Sequence, residues 1–173
     1  MPSSALPLVP TNVFTALEHK PRTVLDVGPG HGKYGLLLRE YAPWLERLDA
    51  VEGEPRYLER FPWLERIYDN VIVGDVAELF GMELFYDLVL MVDVLEHLDH
   101  DAGEALLRRI PGRVIVCTPA VFFQNPEADQ GFETERHRSL WTVAELAAIR
   151  PLEVEDVYAA SIGGILVRMA PLA

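Results

Sequence analysis

The segment Val24-Leu25-Asp26-Val27-Gly28-Pro29-Gly30-His31-Gly32 is an apolar run that ends in an acid and opens into three alternating glycines. Glycine tolerates positive φ and lets backbone approach a ligand closely. A helix is expected from residue 32 to 41, and its N-terminus offers unpaired N–H groups and a partial positive charge. Such a loop can cradle an anionic or nucleotide-like ligand. Three further acids fall at comparable places: Glu52 closes the run 48–52, Asp75 follows Val73-Gly74, and Asp93 follows Met91-Val92. Any one of them reads equally well as a helix cap. Their common register is what points to chemistry. On an adenosine, Glu52 lies at the spacing for accepting from both ribose hydroxyls. Asp75 would accept from the exocyclic amine of adenine, with the Val76 N–H donating to a ring nitrogen. Asp93 would stand at the reactive end of the ligand.

Histidines supply the candidate bases. His97 follows Glu96 just after Asp93, and His137 lies between Arg136 and Arg138 in a long loop. An imidazole titrates near neutral pH and suits proton transfer. His97 reads first as a residue at a helix entry held by Glu96, and His137 reads equally as a loop-ordering residue beside Glu135 or Trp141. His31 is a neighbour of the bound ligand, while His19 and His100 read as surface residues. Phe122, Phe123 and Trp141 either shape an acceptor pocket or pack beneath the loop. No metal-ligand set is expected. The single cysteine, Cys117, excludes an internal disulfide and a cysteine-based zinc site, and its run Val114-Ile115-Val116-Cys117 reads as a buried strand.

Strands and helices must alternate to place these groups together. The runs 23–27, 48–52, 71–73, 86–92 and 114–118 read as five strands, mostly continuous rather than alternating, as in parallel strands covered on both faces. Helices are expected at 12–19 (capped by Thr11), 32–41, 55–66 with a break at Pro62, 76–80, 101–110 and 142–149. Asp101 and Glu104 stand at capping-box spacing. Runs 153–159 and 165–169 flank Gly163-Gly164, which suits a tight hairpin. The reading is one α/β domain over 1–173. It has a Rossmann-like seven-stranded mixed sheet of five parallel strands plus a C-terminal antiparallel hairpin, with helices on both faces. Residues 1–20 form an N-terminal extension with a short helix. Residues 119–140 form a long loop on the ligand side, a length that usually signals function.

Composition narrows the partners. The formal net charge is −12, and a phosphate backbone is repelled by such a field unless basic residues are sorted to one face. Arg136-His137-Arg138, Arg108-Arg109 and Arg113 are too few for that, so no nucleic-acid partner is expected. Met1-Pro2-Ser3-Ser4-Ala5-Leu6-Pro7 has no basic start, and no stretch is long and apolar enough to span a membrane. A cytoplasmic location, no membrane partner and compatibility with a homodimer are the expectations.

The ordered set of motifs resembles the class I S-adenosylmethionine-dependent methyltransferases over nearly the whole chain. Asp26-Val27-Gly28-Pro29-Gly30-His31-Gly32 is similar to that family's first motif. Val51-Glu52 resembles its ribose-binding strand end, and Gly74-Asp75-Val76 its adenine-side motif. Tyr86-Asp87-Leu88-Val89 with Asp93-Val94-Leu95-Glu96-His97 resembles the fourth-strand motif, and Val114 to Pro119 the fifth strand. Gly32-Lys33-Tyr34-Gly35, Leu38-Arg39-Glu40-Tyr41 and Glu135-x-His137-x-Ser139-x-Trp141 resemble a branch associated with small-molecule or glycan modification. The resemblance implies S-adenosyl-L-methionine as cofactor, held by Asp26, Gly28, Gly30, Gly32, Glu52, Asp75, Val76 and Asp93. It implies in-line methyl transfer to a small-molecule acceptor, with His97 and His137 as catalytic candidates. Tyr34 would line the methionine tail or pack the first helix, and Lys33 and Arg39 would meet carboxylates or solvent. Two alternatives stand beside it. Gly30-His31-Gly32-Lys33-Tyr34-Gly35 also fits the dinucleotide spacing of a nicotinamide oxidoreductase. Against that, Asp26-x-Gly28 already occupies the strand end, and only one sheet is expected. The other alternative is a module that binds S-adenosylmethionine without turnover.

Overall fold

The computed structural model describes residues 8–76, 85–122, 132–158 and 163–172. Its strands are β1 (Thr23–Val27), β2 (Arg47–Glu52), β3 (Asn70–Val73), β4 (Leu88–Val92), β5 (Arg113–Pro119), β6 (Leu152–Tyr158) and β7 (Gly164–Met169). They form a seven-stranded sheet in the order β3-β2-β1-β4-β5-β7-β6. β1 to β5 are parallel. β7 inserts antiparallel between β5 and β6. The apolar runs explain the arrangement. All five residues of β4 are buried, with Leu88, Leu90 and Val92 in the core of one face and Val89 and Met91 in that of the other. Each leucine so buried is worth about 1.5–3 kcal/mol.

Helices α1 (Leu8–Ala16), α2 (Lys33–Tyr41), α3 (Pro55–Arg60) and α4 (Leu64–Ile67) cover the first face. Helices α5 (His100–Arg109) and α6 (Val143–Ile149) cover the second. Each strand side therefore meets a helix stripe, as the continuous apolar runs require. Pro62 does break the third helical stretch: Phe61 closes α3 by donating its N–H to Tyr57 O at 2.7 Å, and α4 restarts at Leu64. Proline lacks the N–H that continuation needs.

Several local expectations are corrected. Thr11 lies inside α1 rather than capping it. Asp101 and Glu104 form no capping box: α5 starts at His100 behind Asp99, Asp101 sits in its first turn, and Glu104 instead pairs with Arg108 at 2.8 Å. The i,i+4 ion pair wins because the helix begins one residue earlier. A capping box does form at α6, where Thr142 and Glu145 bond reciprocally. Gly163-Gly164 is not a self-contained turn, because Gly164 already pairs with Tyr158 in the sheet. Trp141 is 1% exposed and belongs to the second-face core, its Nε1 donating to Ser139 Oγ at 2.9 Å. It packs the fold. His100 is half-buried rather than fully exposed: one face of its ring stacks on Trp141 at 4.0 Å.

The strand order places β4 beside β1 after the chain has already built β2 and β3 on the other side. That reversal opens a crevice at the carboxyl ends of β1 and β4, where open α/β sheets bind ligands.

Candidate active site

Four features line that crevice. At the end of β1, Gly28, Gly30 and Gly32 all have left-handed backbone, with φ of +63, +54 and +80°. Gly28 N donates to Val51 O at 2.8 Å, which ties the loop to β2. A Cβ on Gly28 would stand 2.8 Å from Val94 Cγ2, and one on Gly32 2.7 Å from Ile67 Cδ1. The glycines thus answer to the protein's own packing as well as to any ligand. The dinucleotide-type spacing begins only at Gly30, past the strand end at Val27.

Asp26 is turned into the fold. It is buried and accepts a hydrogen bond from Tyr68 Oη at 2.5 Å. Burial pushes its carboxyl up to about 7, partly countered by that bond. Glu52 ends β2 at 5% exposure, and its Oε1 accepts from Glu54 N at 2.8 Å. Burial raises it to about 7 as well, with the charges of Glu135, Glu54 and Asp26 adding to the rise. Beyond β3, Gly74 N donates to Glu52 O at 3.1 Å, Asp75 is exposed and Val76 is buried. The helix expected at 76–80 lies outside the described residues after Val76. Asp93 ends β4 with φ +55° and donates its N–H to Cys117 O at 2.8 Å. A non-glycine residue in this conformation is uncommon, and aspartate tolerates it better than most. It bends the chain sharply away from the sheet.

A further group of residues converges just beyond. Leu95–His97 is a single 3₁₀ turn. Glu96 is buried and accepts from Thr118 Oγ1 at 3.1 Å. Burial, then the nearby Asp93 charge, pushes its carboxyl to about 8. His97 is not held by Glu96: its Nδ1 lies 3.2 Å from Arg136 O. Burial lowers the affinity of this imidazole for a proton. The His137 ring meets His97 edge-on at 4.9 Å. Backbone bonds lock the two segments: Arg138 N and Ser139 N both donate to Glu96 O, at 2.7 and 3.1 Å, and Ser139 Oγ donates to Leu95 O at 3.1 Å. Phe122 is exposed, 6.4 Å from His137; Phe123 lies outside the described residues.

A second assembly covers the Glu52 side. Glu54 caps α3, pairs with Arg56 at 2.5 Å and is held down to about 2 by that guanidinium. Thr134 Oγ1 donates to Glu54 Oε2 at 3.3 Å, and Tyr57 Oη to Glu135 Oε1 at 2.9 Å. Phe132 sits edge-on to Tyr57 under the Arg56 guanidinium, and Phe61 stacks on Tyr57 and meets His31. The segment 132–135 is thereby strapped over the end of β2. Tyr57→Phe is expected to cost about 0.5–1.5 kcal/mol of stability, the worth of one such bond. Urea unfolding measures it; an unchanged midpoint would mean that the strap is not held there.

Glu54, Tyr57, Tyr68, Thr118 and the Phe132 strap were not singled out from the sequence. Glu54 carried a signal, since a polar residue before Pro55 is a cap-then-proline helix start. Tyr57 and Phe61 are four apart, one helix face. Tyr68 and Thr118 carried none. Tyr34 is buried in the first-face core and Arg39 binds Asp69 at 2.8 Å. The basic residues pair with acids rather than forming a stripe: Arg108 with Glu104, Arg113 with Glu153, Arg136 with Glu133 and Arg138 with Asp99.

Solved structures share this architecture. The N-terminal domain of EvdMO1, crystallised with S-adenosylhomocysteine (SAH) and D-fucose, superposes with a TM-score of 0.70 at 18% identity, over 98% of this chain and 85% of that one. The N-methyltransferase NodS of Bradyrhizobium japonicum, in complex with SAH, gives 0.63 at 14% identity over 95% and 86%. The fold is that of a class I methyltransferase. An O-methyltransferase family protein of Burkholderia thailandensis gives 0.61 at 16% identity over 95% of this chain but 56% of its own, so the chain spans little more than half of that protein. No family model matches the chain, and no curated protein matches it significantly. No described helix is long and apolar enough to cross a membrane.

Proposed function

We propose that the chain is an S-adenosylmethionine-dependent methyltransferase acting on a small-molecule acceptor. One observation carries the reading: the glycine loop, Glu52, Asp75 and Asp93 stand at the carboxyl ends of β1 to β4, in a fold whose solved neighbours hold SAH. In this reading Glu52 accepts from the ribose hydroxyls, and Asp75 with the Val76 N–H takes the adenine. Gly28, Gly30 and Gly32 bring backbone against the methionine portion, supported from beneath by Asp26. Asp93 faces the sulfonium. The transfer is an in-line displacement: an acceptor lone pair forms the new bond to the methyl carbon as the S–C bond breaks, and its electron pair stays on a neutral thioether. Alignment supplies most of the acceleration. His97 and His137 form the acceptor wall, where an imidazole takes the acceptor's proton. Calorimetry with S-adenosylmethionine, SAH and NAD in parallel tests the reading. Binding of the first two is expected; binding of NAD alone contradicts it. A cytoplasmic location, compatibility with a homodimer and the absence of nucleic-acid or membrane partners belong to the same proposal.

A pH dependence follows from Glu52. Its carboxyl rests at about 7 in the free protein, and two hydroxyl donors favour the ionised form. SAH affinity is therefore expected to rise about tenfold from pH 6 to pH 8, with a proton released on binding. Calorimetry in buffers of different ionisation enthalpy reads both. Glu52→Gln should flatten the profile; a wild-type profile already flat would remove the ribose from Glu52.

A further inference from the structure

Glu96, His97 and His137 each offer a ligand atom, and these atoms all lie within 4.8 Å of one another. They come from two segments locked together by the backbone bonds of Arg138 and Ser139 to Glu96 O. Around a tetrahedral zinc ion, nitrogen and oxygen ligands stand about 2.0–2.2 Å from the metal. Such ligands are about 3.3 Å apart, so side-chain rotations of about 1.5 Å or less close the set.

The surrounding bonds are those a metal site needs. A carbonyl only accepts, so the contact between Arg136 O and His97 Nδ1 fixes the proton on Nδ1. The lone pair is then on Nε2, the tautomer that ligating histidines adopt when a backbone carbonyl holds the other nitrogen. Thr118 Oγ1 orients the Glu96 carboxylate by donating to Oε2, and hydrogen-bonded carboxylates are the usual companions of such histidines. Glu96 is buried, and both imidazoles are part-buried.

We infer that Glu96, His97 and His137 bind a divalent transition-metal ion of the zinc class at the acceptor end of the crevice. Two imidazoles and one carboxylate suit zinc and its neighbours in the first row far better than magnesium or calcium. Three protein ligands leave a coordination position open, the arrangement of catalytic rather than structural sites. The position lies beyond Asp93, where the acceptor binds if the proposed methyl transfer is right. An ion there selects an oxygen acceptor, because a bound hydroxyl becomes acidic enough to lose its proton near neutral pH. The acceptor class is then a hydroxyl; with the ion bound, both imidazoles serve as ligands and the hydroxyl proton passes to solvent, whereas without it an imidazole is left to take that proton.

The test is calorimetric titration of the metal-free full chain with Zn²⁺, Mn²⁺ and Mg²⁺ salts alone, with SAH titrated separately on the same preparation. One equivalent of Zn²⁺ or Mn²⁺ is expected, and Mg²⁺ far more weakly. His137→Ala and His97→Ala should each weaken Zn²⁺ binding by about a hundredfold or more, since even an outer partner of a ligand is worth 10–100-fold. His19→Ala, on the exposed far side, should leave it unchanged. Thermal unfolding of metal-free His137→Ala should match the wild type, which separates a lost ligand from a lost fold. Absence of saturable binding, or Zn²⁺ binding that survives both histidine substitutions, overturns the site. SAH binding without metal binding sinks this inference and spares the methyl-transfer reading. Metal binding without SAH binding does the reverse.

Discussion

Glu52→Ala is expected to weaken SAH binding by about 1–3 kcal/mol, through loss of two hydrogen bonds to a charged acceptor. That is roughly a five- to 150-fold rise in Kd. The size follows from where Glu52 sits. Its carboxylate is buried at the end of β2, and one oxygen is already oriented by Glu54 N. The protein therefore bears the desolvation before a ligand arrives, and in the proposed complex the ribose hydroxyls would meet a preorganised acceptor. Calorimetry at pH 8, where Glu52 is ionised, gives the full effect. An affinity unchanged within twofold would place the sugar elsewhere.

The second large effect is on stability. Asp26 has a folded-state pKa of about 7 because of burial, against about 3.9 in an unfolded chain. Between these values the folded protein holds a proton that the unfolded chain releases. Stability from this group is complete below pH 4 and is lost as pH rises through 7. Glu52 and Glu96 are raised for the same primary reason and steepen the wild-type decline. Asp26→Asn isolates the one carboxyl: it keeps an acceptor for the Tyr68 hydroxyl and cannot ionise. The variant is expected to match the wild type near pH 4.5 and to exceed it by about 2–4 kcal/mol at pH 8. Urea titrations at the two pH values decide it. A variant less stable than the wild type at pH 8 would mean that the ionised Asp26 is stabilised in the fold rather than penalised by its burial.

The sheet was legible because its strands are continuous apolar runs, a pattern that only strands covered on both faces need. Val24 to Val27, Leu88 to Val92 and Val114 to Thr118 all fall where expected, with ends moved by a residue or two. The glycine loop was legible too, since Gly28, Gly30 and Gly32 each adopt a backbone that other residues resist. What could not be read were contacts made across long sequence separations. Nothing near Asp26 announces Tyr68, 42 positions on, and nothing near Glu96 announces Thr118. His97 and His137 were visible singly, but their meeting depends on the Glu96 carbonyl taking two N–H groups from residues 138 and 139. Local rules failed where a neighbouring choice outcompeted them, as when Glu104 joined Arg108 instead of capping its helix.

The central claim is that a nucleoside cofactor lies across the tips of β1 to β4 with its ribose on Glu52. A crystal structure of the chain with SAH tests it most directly. The ribose hydroxyls should lie within hydrogen-bonding distance of the Glu52 carboxylate, with the sulfur turned toward Asp93. A nucleoside bound with its sugar away from Glu52, or a crevice closed by the protein's own side chains while SAH sits elsewhere, would contradict the account.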